Sequence, residues 1–152
     1  MRIQTGLLSA LLPLLLAACG TSSSTVAVQG SDVDLTLLAG KWEGTYEGAQ
    51  SGRKGTVSFD LYTGYRVAEG KVMMNALADP ANARELSIKF MQIGGRKLTG
   101  NIDPYTDPQC NCTVETEFIG TLKGDQISGV FHTGPAGAPK SAGGTWTATR
   151  KK

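Results

Sequence analysis

The sequence predicts an all-β domain, a small antiparallel up-and-down β-barrel of about eight strands. Three observations carry this expectation. From Gly40 onward apolar and polar residues alternate with period two, as half-buried strands require, and no convincing 3.6-residue periodicity appears. Glycine is abundant, 20 residues of 152, and turn signals separate the alternating runs. An apolar-x-Gly-x-apolar pattern also recurs, at Leu38-x-Gly40-x-Trp42, Ala68-x-Gly70-x-Val72, Leu98-x-Gly100-x-Ile102, Phe118-x-Gly120-x-Leu122, Ile127-x-Gly129-x-Phe131 and Ala142-x-Gly144-x-Trp146. Glycine on the apolar face of a strand implies sharp coiling of the sheet or space for a neighbouring ring, both needs of a small closed barrel. The spacing is too irregular for a solenoid or propeller.

The elements follow in order. In the first strand Trp42, Gly44 and Tyr46 alternate with Lys41, Glu43, Thr45 and Glu47. In the second, Val57, Phe59 and Leu61 alternate with Thr56, Ser58, Asp60 and Tyr62. Six further runs lie near Val67 to Asn75, Glu85 to Gln92, Lys97 to Ile102, Thr113 to Leu122, Gln126 to His132 and Gly144 to Arg150. Gly94-Gly95 and Lys123-Gly124-Asp125 supply positive-φ residues for tight hairpins, so sequential strands should pair as a meander. Short helical turns are expected at Leu35 to Ala39 and Ala78 to Arg84. Longer loops, where function tends to reside, cover residues 48–54, 76–84, 103–111 and 133–143. The apolar faces, including Leu86, Ile88, Phe90, Ile102 and Phe118, form the core; a barrel of this size either fills its interior or holds one small ligand, and filling is the expectation here.

The N-terminal segment stands apart. Arg2 precedes a twelve-residue apolar stretch, Leu7 to Ala18, interrupted only by Ser9 and Pro13. Such a stretch rises about 18 Å as a helix, short of the roughly 30 Å hydrocarbon core, and it reads as a signal peptide rather than a span. Leu16-Ala17-Ala18-Cys19-Gly20 resembles the lipobox of bacterial lipoproteins. The resemblance implies cleavage before Cys19 and acylation of that residue, and more than one acyl chain gives lasting membrane attachment. Gly20 after the cysteine resembles the pattern that directs transfer to the outer membrane. The expected organisation is a removed signal peptide at 1–18, a lipidated N-terminus and tether at 19–37, and a barrel domain at 38–152. Residues 20–31 are small and polar, as a flexible tether would be.

Gly40-Lys41-Trp42, following the apolar Leu35 to Leu38, resembles the Gly-x-Trp start of lipocalins and their calycin relatives. That resemblance implies that a late arginine covers the first-strand tryptophan, and Arg150 is placed to close the barrel over Trp42 by a cation–π contact. The Thr-Asp-Tyr motif of lipocalins is missing, since Thr106-Asp107 is followed by Pro108, and no C-terminal helix is evident.

A formal net charge of +2 without a basic block, and only 7% aromatics, argue against nucleic acid as a partner. Three cysteines and one histidine leave few groups for metal or nucleophilic chemistry, and no cofactor is expected. Once Cys19 is acylated, Cys110-Asn111-Cys112 holds the remaining thiols. In an oxidising envelope a disulfide is expected, with reactive thiols or metal ligands as alternatives. An extended strand would set the two Cα atoms about 6.6 Å apart, near the limit for bridging, so the segment must turn. His132 reads as a surface residue that could join the cysteines on a metal only if folding brought them together. Glu115 and Glu117 share a strand face and read as a solvated surface rather than an acid–base pair. No catalytic constellation or nucleotide fingerprint is present in the sequence. The expected function is that of a membrane-anchored, non-enzymatic envelope module. The alternatives are a carrier of a small apolar ligand or an inhibitor-type barrel that binds another envelope protein. If Cys19 carries the anchor, Cys19→Ala should leave unprocessed precursor or release the domain to the soluble fraction, measured by fractionation and intact mass.

Overall fold

Antiparallel neighbours joined by short turns produce the predicted meander. The structure is a computed structural model that describes residues 25–152; residues 1–24, including the signal segment and Cys19, lie outside the described residues. The chain runs through β1 (Thr25–Gln29), α1 (Asp32–Leu38), β2 (Gly40–Gly48), β3 (Lys54–Leu61), β4 (Val67–Met74), a 3₁₀ turn (Pro80–Asn82), β5 (Arg84–Gly94), β6 (Lys97–Asp107), β7 (Cys112–Lys123), β8 (Gln126–Pro135) and β9 (Ala142–Arg150). Strands β2 to β9 are the eight expected from the sequence. They close where β2 pairs with β9, from Trp42 opposite Arg150 to Gly48 opposite Gly144.

Two expectations require correction. The barrel has nine strands and is mixed: β1 is inserted between β4 and β5, antiparallel to the first and parallel to the second. The domain therefore begins before residue 38, because Thr25–Gln29 belongs to the barrel rather than to a tether. Val26 and Val28 enter the core while Thr25, Ala27 and Gln29 stay outside. Strand β1 fills a wedge. At one end β4 and β5 pair directly, from Lys71 opposite Ser87 to Met74 opposite Arg84, and at the other end they diverge to admit it. A parallel partner remote in sequence leaves no hairpin signal.

Two irregularities re-aim side chains. The register of β5 against β6 shifts between Ile88 and Phe90, so the inward row passes from Leu86 and Ile88 to Met91 and Ile93. The Phe90 side chain, expected in the core, lies outside the described residues. A second shift falls between Ile102 and Tyr105, around Pro104, which has no N–H to donate. Past it β6 continues to Asp107, beyond the end expected at Ile102. The β5–β6 hairpin places its positive φ at Gly95 and Arg96 rather than at Gly94, the pattern of a type I′ turn.

Glycine on the inner rows makes room for rings. A Cβ on Gly120 would stand 2.6 Å from the Trp146 ring, and one on Gly144 would stand 2.7 Å from that of Phe131. Trp146 meets Phe118 edge to face at 5.7 Å between centroids and donates its indole N–H to Ile119 O at 3.1 Å.

One end of the barrel, which carries α1 and the β3–β4, β5–β6 and β7–β8 turns, is sealed. Ser31 caps α1 by accepting from Asp34 N, and Leu35 and Leu38 turn inward. Such a helix leaves its last carbonyls unpaired, and here side chains of the barrel satisfy them. Trp42, fully buried, donates Nε1–H to Leu38 O at 2.8 Å. Arg150 lies 4.4 Å above the Trp42 ring and donates to Ala39 O, to Leu37 O at 2.7 Å and to Asp125 Oδ1 at 2.8 Å. One guanidinium thus joins the helix, the first meander strand, the last strand and the β7–β8 turn. Trp42→Ala should destabilise by about 3–5 kcal/mol as a large core truncation. Arg150→Ala should cost about 2 kcal/mol through lost charged hydrogen bonds, and Arg150→Lys should recover only part, since lysine lacks the planar fork. Denaturant titration of the three variants checks this order.

Candidate functional site

The opposite end, which carries the β2–β3, β4–β5, β6–β7 and β8–β9 connections, is not packed solid. Beneath it lies a cavity of about 110 Å³. Phe59, itself stacked on Trp42 at 5.8 Å, contributes to its lining, as do Val72, Met74, Leu86, Ile88, Met91, Ile102, Phe118 and Trp146. These walls are almost wholly apolar. Polar groups gather nearer the loops: Tyr46, Ser51, Arg53, Tyr105, Asp107, Gln109, Thr116 and Thr133. The Thr116 and Thr133 hydroxyls share a hydrogen bond of 2.7 Å, so buried Thr116 is satisfied. Desolvation pushes the Tyr46 phenol above its ordinary value, and its ring meets Phe131 edge to face.

An ion pair crosses this end. Arg53, just before β3, gives Nη1 to Asp107 Oδ2 at 2.8 Å and Nη2 to Oδ1 at 2.6 Å, a two-pronged contact between residues 54 positions apart. Strands β3 and β6 are not neighbours, with β4 and β5 between them on one side and β2, β9, β8 and β7 on the other, so the pair reaches across the mouth. Both side chains are largely withdrawn from solvent, 14% and 12% exposed. The Arg53 guanidinium holds the Asp107 carboxyl below the usual carboxylate range; burial opposes this, while the Gln109 amide, 2.7 Å away, reinforces it.

The cysteines lie beside this pair. Cys110 and Cys112 stand at disulfide distance with Cα atoms 5.1 Å apart, closer than an extended strand allows. The required turn is made by Asn111 at φ +51°, with its N–H donated to Asp107 O at 2.8 Å. Cys112 opens β7 directly opposite Asp107. The bridge and the ion pair therefore share one turn.

Other residues singled out in the sequence sit apart from the cavity. His132 is exposed, paired in register with Glu117 on the outer face of β7 and β8. Glu115 and Glu117 alternate with buried Val114, Thr116 and Phe118, and Glu117 lies 3.9 Å from Lys140. Among the described residues no group of three or more His, Cys, Asp or Glu is placed to hold a metal ion. Trp42 and Arg150 come together at the sealed end, away from the mouth. Sequence reasoning missed Arg53 and Asp107 as a pair. The loops at 48–54 and 103–111 marked their neighbourhoods, but opposite charges 54 residues apart carry no signal of contact.

In comparisons with known proteins, no protein family, curated protein or solved structure matches this chain.

Removing one partner of the Arg53–Asp107 pair should cost more than removing both. Asp107→Asn should destabilise by about 3 kcal/mol, the lower end for a buried pair left with an uncompensated charge. An Arg53→Met, Asp107→Leu double variant should lose much less. Because the folded-state value of Asp107 is depressed, its contribution is fully present above its unfolded value of about 3.9 and is lost as pH falls through the folded value. Acid unfolding of Asp107→Asn should accordingly be less steep below about pH 4 than that of the parent chain.

Proposed function

We propose that this chain is a lipid-anchored protein of the bacterial envelope, destined for the outer membrane, whose barrel is a non-enzymatic binding module. It takes a small apolar group into the cavity beneath the Arg53–Asp107 pair. The observation that carries the binding reading is the cavity itself: apolar walls below a polar rim, with Trp146 and Phe118 meeting at its side. Binding sites for small molecules share that division, apolar contact for affinity and a few polar groups for orientation. The volume limits the ligand. About 110 Å³ is less than the ~150 Å³ that accommodates benzene in an engineered core. It suits a short branched alkyl group or, with slight relaxation, a small ring, rather than a whole lipid.

The anchor reading rests on the sequence from Leu16 to Gly20. Six residues, 19–24, precede β1 and reach at most about 20 Å, so acylation at Cys19 would hold the barrel close to the membrane surface. The inhibitor-type alternative has less support than the sequence suggested. Strands β8 and β9 extend to Pro135 and from Ala142, and the long Gly-Pro-rich loop contracts to residues 136–141.

Native mass spectrometry of the protein purified from envelope membranes tests the reading. A retained small apolar compound, lost in a Val72→Phe variant that fills the cavity and remains folded, is the expected result. Identical spectra for parent and variant, with no adduct in either, would overturn it.

A further inference from the structure

We propose that the Cys110–Cys112 disulfide is a redox-sensitive latch that controls admission to the barrel cavity by fixing the Arg53–Asp107 pair across its mouth. The inference rests on the reading of that cavity as a binding site and names its regulation.

The mouth is spanned by one strut, and the strut has unequal supports. Arg53 projects from the β2–β3 connection, whereas Asp107 stands where β6 ends and the turn to β7 begins. The turn orients the carboxylate. Gln109 N–H donates to its Oδ1, the Cys110 amide also donates to it, and Asn111 N–H closes onto the Asp107 carbonyl. The Asn111 donor lies between the bridged cysteines, the Cys110 donor belongs to one of them, and Gln109 directly precedes the bridge. Asn111, between the two cysteines, holds a left-handed conformation, which asparagine tolerates better than most side-chain-bearing residues. The bridge enforces that conformation covalently; hydrogen bonds alone would have to hold it once the bridge is opened.

The chemistry balances simply. A dithiol reductant attacks through its thiolate, the Cys110–Cys112 S–S bond breaks, and a mixed disulfide forms. The second thiol of the reductant resolves it. Two electrons and two protons pass to Cys110 and Cys112, which become thiols, while the reductant leaves as its own disulfide. Cys110 is exposed and Cys112 half-buried, so the bridge is accessible to such a partner. The sulfur atoms then no longer need to stay in bonding contact, Asn111 can leave the left-handed region, and the amides of 109 and 110 withdraw from Asp107. The carboxylate loses its orientation, the two-pronged contact with Arg53 loosens, and the apolar shaft below is uncovered. Reoxidation reverses each step. The sealed end, tied by Arg150 and Trp42 on the far side of the core, takes no part.

Trp146 reports on the mouth directly, because it lines the cavity and is only 5% exposed. The chain holds two tryptophans, so Trp42→Phe leaves Trp146 as the single indole. In the acylated, processed protein on phosphatidylethanolamine–phosphatidylglycerol vesicles, dithiothreitol should raise acrylamide quenching of Trp146 at least threefold. Cys110→Ser, Cys112→Ser should quench like the reduced parent without reductant, and Asp107→Asn should be quenched readily in both redox states.

Hydrogen exchange of the unsubstituted chain gives a second readout that no variant can compromise. Reduction should speed exchange in peptides covering residues 49–56 and 105–114 at least tenfold and leave β2 near Trp42 unchanged. Quenching and exchange that stay the same on reduction, with both thiols trapped by alkylation, would overturn the latch while the retained-compound measurement still decides the binding reading. Acceleration throughout the chain would equally overturn it, since the bridge would then be a global staple. Loss of the compound from the reduced parent but not from the oxidised one, together with local opening, is the expected joint outcome.

Discussion

The interaction on which the rest of the structure depends is the contact of Arg150 with Trp42 beneath the last turn of α1. A barrel closes only if its first and last strands meet in a single register. Here the closing ladder sets Trp42 opposite Arg150. The indole fills the end of the core, the guanidinium covers it, and together they occupy the carbonyls of Leu37, Leu38 and Ala39. A short helix that would be marginal in water becomes a stopper because its unpaired acceptors face two fixed donors. Closure and capping are one arrangement.

The sealing of one end creates the asymmetry that gives the other its character. Large side chains concentrate beneath α1, where Trp42 stacks on Phe59 and Leu38 is fully buried. Towards the far loops the barrel must accommodate Trp146 and Phe131, and glycines at 120 and 144 yield the space those rings occupy. The rings stand edge-on to Phe118 and Tyr46, and between the walls a small volume is left unfilled. Charge rather than bulk bridges that end. An ion pair can part and re-form without repacking a core, whereas a tryptophan in the same place could not.

Much of this was legible in the residues. Period-two alternation located all eight meander strands, and the Gly-Lys-Trp start with a late arginine pointed to the pair that the structure brings together. The recurring glycines marked the inner rows, and the space for rings that Gly120 and Gly144 provide was legible as well. What escaped was non-local or exceptional. Val26 and Val28 alternate over only five residues in a Ser/Thr-rich setting, and their partners lie some forty and sixty positions away. The shift after Ile88 moves the inward row onto Met91 and Ile93, which strict alternation assigns to the outside. Arg53 and Asp107 illustrate the same limit at the candidate site: each loop was marked, but a cross-barrel contact depends on closure, which no local pattern encodes.

The insertion of β1 also has a mechanical consequence. The strand is held by ladders on both flanks and runs along them, with Thr25 directed toward the end where β4 and β5 pair directly. Tension arriving through the preceding chain would pull β1 along its own axis, loading hydrogen bonds on both sides together in shear rather than peeling them one at a time. Val26 and Val28 would have to leave the core in the same event. Thr25 is thus a grip suited to sustained traction, and rupture there would open the wall between β4 and β5 before disturbing the stopper of α1, Trp42 and Arg150.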